Sequence, residues 1–147
     1  MTEKRNVRVL VLEDSPERIK RFKAYFGVND HFVFEADFTD DADQAIALFQ
    51  QNPYDLLFLD HDLGEGSNPD PENNGARFTS ALISRLDTSA CSFAGVHSLN
   101  FCAASRMVHD IKQAGIATVP LPFVWNDMGH AMGLFRRVLE KKGEEGR

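Results

Sequence analysis

Five apolar runs alternate with five helical patterns along this chain, and that alternation restricts the folds open to it more than any other feature. The runs are Val7–Leu12, Phe32–Phe38, Tyr54–Leu59, Ser92–His97 and Ala117–Val124. Short, nearly unbroken apolar runs bounded by turn residues read as strands buried on both faces. Helices predicted between them cover about Pro16 to Phe26, Asp41 to Gln51, Gly75 to Leu86, Asn100 to Gly115, and from Asn126 or Asp127 onward. Ser15 is the expected N-cap of the first helix, Pro16 its first residue and Gly27 its stop. Strands alternating with helices imply right-handed crossovers and an α/β fold: a five-stranded parallel sheet with helices on both faces. The common order 2-1-3-4-5 places the first and third strands side by side. Residues 1–147 form a single domain in this reading, with 139–147 expected as a frayed tail.

Two of the apolar runs end in acid. VRVLVLEDS ends in Glu13 and Asp14, and YDLLFLDHDL ends in Asp60, His61 and Asp62. On neighbouring parallel strands these carboxylates converge, with Asp14 and Asp60 as neighbours, at the carboxyl edge, where open α/β sheets bind their ligands. Like charges so close repel unless a cation or a proton is shared among them. A divalent metal site follows, with Glu13, Asp14, Asp60 and Asp62 as candidate ligands and magnesium or manganese as the suited ions. Helix capping is the alternative for Glu13 and Asp14; for Asp62 the alternatives are orienting a histidine and capping the following turn.

His61 and His97 stand at the same edge, and imidazole has the right pKa for proton transfer near neutrality. Asp60, His61 and His97 are therefore the candidate catalytic residues. Ser98 and Asn100 precede the fourth helix, whose free N–H groups suit phosphate; Asn100 also reads as an N-cap. The loop Gly64–Gly75, rich in turn residues, leaves directly from this edge and reads as a lid or as plain surface.

A net charge of −6 argues against broad binding of duplex nucleic acid, which needs a basic face. A single nucleotide or an RNA end stays open, because a metal would invert the local potential. No apolar stretch approaches the roughly 20 residues that span a bilayer, and no secretory signal precedes the first strand. No membrane partner and a cytoplasmic location are expected. Cys91 and Cys102 have neither metal-ligand nor disulfide spacing and read as reduced, partly buried packing residues. Oligomeric state has no signature in the sequence.

These motifs resemble the receiver domain of two-component response regulators over nearly the whole chain. Glu13-Asp14 match the acidic pair that holds magnesium, and Asp60 matches the phosphorylated aspartate. Leu121-Pro122-Phe123 match the Lys-Pro-Phe segment, with Leu121 where the lysine stands. That departure argues against ordinary phospho-relay. LEDSPER, LDHDLG and VHSLN, each at a strand end, are more specifically similar to a divergent branch, the cyclic-phosphate processing receiver-like domain. This resemblance implies metal-dependent phosphoesterase chemistry on a cyclic phosphate, either a 2′,3′-cyclic RNA end in RNA repair or a cyclic nucleotide. An atypical single-domain receiver or interaction module, with Asp60 as phosphoacceptor, is the alternative.

Overall fold

The protein, described from a computed structural model over residues 4–63, 72–122 and 124–145, alternates strand and helix as predicted. The strands are β1 (Arg5–Leu12), β2 (Phe32–Thr39), β3 (Leu56–Leu59), β4 (Phe93–Val96) and β5 (Ala117–Pro120). The helices are α1 (Pro16–Gly27), α2 (Ala42–Gln51), α3 (Gly75–Ser84), α4 (Phe101–Gln113) and α5 (Val124–Glu145). All strand pairs are parallel, in the order β2-β1-β3-β4-β5.

Side-chain alternation along the strands divides the interior into two layers. Val7, Val9 and Val11 of β1 face α1 and α5, where Phe22, Phe26, Met128, Ala131 and Phe135 pack. Leu10 and Leu12 face α2, α3 and α4, where Ile46, Phe49, Phe78, Leu82, Met107 and Ile111 pack. The helix starts are capped as their sequences dictate. Ser15, Asp41, Asn74 and Asn100 each accept a hydrogen bond from a backbone N–H in the first turn that follows.

Four expectations change. β5 stops at Pro120 rather than at Val124, with a last backbone bond to β4 from the Leu121 N–H. α5 accordingly begins at Val124, before Asn126 and Asp127, which fall inside its first turn. Its helical backbone also continues through residues 139–145, where a frayed tail was expected, and Leu139 is buried. Cys91 is buried as expected, whereas Cys102 is exposed. No described helix is long and apolar enough to cross a membrane.

Candidate metal and phosphate site

Strand register assembles the site. Leu12, Leu59, Val96 and Pro120 are the last paired residues of their ladders. The next residue of each strand stays in line through one more backbone bond. Asp60 N–H donates to the Leu12 carbonyl at 3.0 Å, His97 N–H to that of Leu59 at 2.9 Å, and Leu121 N–H to that of Val96 at 2.7 Å. Glu13, Asp60, His97 and Leu121 thus form one row past the sheet edge. Alternation turns this row toward the α1/α5 face, opposite to Leu12, Leu59 and Val96.

The first three residues of that row meet. Glu13, Asp60 and His97 are all buried, and one potential ligand atom from each lies within 4.8 Å of the others. His97 Nε2 is 3.1 Å from Glu13 Oε1, and its ring packs edge-on against Phe22 at 5.1 Å. Burial lowers the His97 pKa and so favours the neutral ring, with Nε2–H donating to the Glu13 carboxylate. Its Nδ1 is buried and meets no partner among the described residues.

Arg18, in the first turn of α1, completes the cluster. Its Nε donates to Glu13 Oε1 at 2.5 Å, while Nη2 reaches Glu13 Oε2 at 3.2 Å and Asp60 Oδ2 at 3.4 Å. Burial alone would raise the Glu13 pKa. Hydrogen bonds from His97 and Arg18, with the Ser15 N–H, outweigh it and hold the carboxyl far below its ordinary range. Asp60 goes the other way: burial, then the neighbouring Glu13 charge, push it up to about 7 against the pull of Arg18. Glu13 is thereby held ionised against Arg18, while the protonated form of Asp60 is favoured. That is how three buried ionisable groups coexist here.

The remaining predicted residues lie around this core. Asp14 is half-buried beside Glu13, and its backbone N–H donates to Glu13 Oε2 at 2.8 Å. Asp62 lies outside the cluster: its side chain is 67% exposed and accepts from His61 Nδ1 at 2.7 Å. His61 is half-buried, and its backbone N–H holds Asp60 Oδ1 at 2.8 Å. β3 ends at Leu59, so strand alternation does not carry Asp62 onto the face of Asp60. Ser98 is buried, and its hydroxyl accepts from the Asn100 N–H at 3.1 Å. Asn100 is exposed and caps α4 through its amide oxygen, which accepts from Ala103 N–H at 3.2 Å. Residues 64–71 of the expected lid, and Phe123 of the Leu-Pro-Phe segment, lie outside the described residues. The far end of that loop is anchored by Asn73, which accepts from the Ala42 N–H and donates to the Asp40 carbonyl.

Two further residues shape the site. Gly75 opens α3 directly over the Asp60 backbone, where an added Cβ would lie 2.2 Å from the Asp60 carbonyl oxygen. Gly95 leaves room for Leu121, whose Cδ1 would lie 2.5 Å from a Cβ at that position. Leu121 is thereby sealed into the apolar layer beneath α5, and no charge stands at the fourth position of the row.

Sequence reasoning missed Arg18. One signal for it was present: a cation in the first turn of a helix opposes the helix dipole and so needs a local anionic partner.

The donor set fits a divalent cation. Two buried carboxylates and an imidazole nitrogen suit magnesium or, given the nitrogen, manganese. Nε2 cannot both donate to Glu13 and ligate a cation, so ligation through it requires the proton on Nδ1.

A family model described as the cyclic-phosphate processing receiver domain matches residues 9–113, more than half of the chain. No curated protein matches. Among solved structures, the chain is similar to the non-phosphorylated HemR receiver domain from Leptospira biflexa, with a TM-score of 0.63 and 16% identity over 88% of this chain and 93% of that one. The signal receiver domain of a putative Luxo repressor protein from Vibrio parahaemolyticus gives 0.63 and 16%, over 97% and 99%. A CheY-like response regulator receiver domain from Methanospirillum hungatei JF-1 gives 0.62 and 15%, over 97% and 99%. At these identities the likeness concerns the fold.

Proposed function

The chain belongs to the cyclic-phosphate processing receiver domain family, and from that premise we propose that it handles a phosphate group at a divalent-cation site built on Glu13, Asp60 and His97. The observation that carries this reading is the buried approach of those three ligand atoms, from three different strands, to within 4.8 Å. Bound there, magnesium or manganese would draw charge from a phosphate oxygen. Asp14, next to Glu13 in the chain, is a further candidate ligand at the same edge. Ser98 and the start of α4 offer donors for phosphate oxygens on the β4 side.

Two forms of the reading differ in what becomes of the phosphate. The structural likenesses lie nearer to the first, an atypical receiver or interaction module in which Asp60 accepts a phosphoryl group. The side chains around Asp60 favour the second, a phosphoesterase that opens a 2′,3′-cyclic RNA end or a cyclic nucleotide in the cytoplasm. His97 brings an imidazole against Glu13, and Leu121 leaves the fourth position of the row uncharged. In this form His97 helps to hold the cation, and His61, held by Asp62, moves a proton at the phosphodiester.

One paired experiment separates the forms. The protein with manganese is given a panel of 2′,3′-cyclic and 3′,5′-cyclic nucleotides and, separately, acetyl phosphate, with Asp60→Ala as control. Product formation that Asp60→Ala abolishes supports the phosphoesterase. Labelling of Asp60 without turnover supports the receiver. Neither product nor label, in protein that binds manganese, overturns both.

A further inference from the structure

We propose that Arg18 is an exchangeable counter-cation: it neutralises Glu13 and Asp60 in the metal-free protein, and when a divalent cation takes Asp60 its guanidinium turns to the phosphate. This deepens the function proposed above and rests on the same cation site.

The bonding of Arg18 is unequal. Glu13 receives two bonds from the guanidinium, at 2.5 and 3.2 Å, whereas Asp60 receives a single one at 3.4 Å. The Asp60 contact is at the long end of hydrogen bonding and is the one that yields. The layering is unequal too. The Glu13 side chain is fully sealed and that of Asp60 nearly so, while the Arg18 side chain is 38% exposed. Arg18 is therefore the outer layer of the cluster, the part that a ligand arriving from solvent meets.

The carboxylates account for its location. Arg18 stands in the first turn of α1, where the helix dipole repels a cation. Among the described residues, no other lysine or arginine forms an ion pair with Glu13 or Asp60. A divalent cation sharing those oxygens would repel the guanidinium at close range, and an anion placed between the two cations relieves that repulsion. Phosphate suits this position, since the planar guanidinium fork matches its oxygens.

The test is calorimetric. Mn²⁺ is titrated into the parent, Arg18→Gln and Arg18→Lys proteins, and inorganic phosphate is then titrated into each Mn²⁺-loaded form. Arg18→Gln is expected to bind Mn²⁺ roughly threefold or more tighter than the parent, and phosphate roughly tenfold or more weaker. Arg18→Lys keeps the charge but loses the fork; it is expected to match the parent for Mn²⁺ and to lose several-fold in phosphate affinity. Because Arg18→Lys preserves the ion pair, it keeps the comparison valid if Arg18→Gln folds poorly. Mn²⁺ affinity that is unchanged or weaker in Arg18→Gln, or phosphate affinity unchanged in both variants, overturns the exchange while leaving the cation site standing. A parent that binds no Mn²⁺ overturns the site and the exchange together.

Discussion

His97 Nε2 and Glu13 Oε1 lie 3.1 Å apart with both side chains fully sealed from solvent, although the residues are 84 positions apart in sequence. This pair ties the end of β1 to the end of β4 across β3. Replacing the ring leaves an ionised carboxylate with one buried donor fewer and opens a void beside Phe22. His97→Ala is expected to lose about 2–4 kcal/mol of unfolding free energy in urea at neutral pH. A loss below about 0.5 kcal/mol would show that the pair contributes little.

Asp60 gives the metal-free protein a pH dependence of definite sign. Its carboxyl is raised from 3.8 to about 7, so the fold favours the protonated form. Its contribution is fully present below about pH 4 and is lost as pH rises through about 7. In EDTA at about pH 8, Asp60→Asn is expected to be more stable than the parent by on the order of 2–4 kcal/mol, the two converging below about pH 4. Urea unfolding across that range checks it; a parent more stable than Asp60→Asn at pH 8 would contradict the raised value.

Gly75 is expected to tolerate no side chain. The obstacle to a Cβ is the Asp60 carbonyl, a backbone atom at the end of β3, with the Met107 side chain beside it. Gly75→Ala should cost about 1–3 kcal/mol, toward the upper end because backbone must move. It should also weaken Mn²⁺ binding, since the displaced strand carries Asp60. An unfolding midpoint equal to the parent's would place α3 farther from β3 than described.

Leu121→Lys is not expected to create an ordinary receiver. Leu121 is 1% exposed and lies over Gly95 and Phe58. A lysine there either buries its ammonium among apolar side chains or forces the β5–α5 turn open, at a cost of more than about 2 kcal/mol. Thermal unfolding checks the stability, and acetyl phosphate labelling should show no gain over the parent. A stable variant with increased labelling would contradict this account of the position.

The strand–helix alternation and the strand order were legible because continuous apolar runs and capped amphipathic patterns are strong local signals. Parallel pairing placed the acids of the first and third strands together, but with Asp14 beside Asp60; the structure brings Glu13 there instead, because Glu13 is the residue that continues the strand in line with Asp60. His97 followed from its position at the end of the β4 run. Asp62 stood open between metal ligation, orienting a histidine and a turn cap; its exposed side chain accepts from His61, since pairing stops at Leu59 and strand alternation with it. The end of β5 was misplaced because Leu121 and Val124 extend an apolar run that Pro120 and Pro122 interrupt. Arg18 was hidden for a different reason. A lone arginine on an exposed helix turn is usually solvated, and only the fold reveals the two carboxylates beneath it.

A manganese-soaked crystal measured at the metal absorption edge decides whether the three strand ends jointly hold one divalent cation. One anomalous peak is expected at coordination distance, about 2.0–2.3 Å, from a Glu13 oxygen, an Asp60 oxygen and a His97 nitrogen. A peak on the exposed Asp62, or none at full soaking concentration, would contradict it.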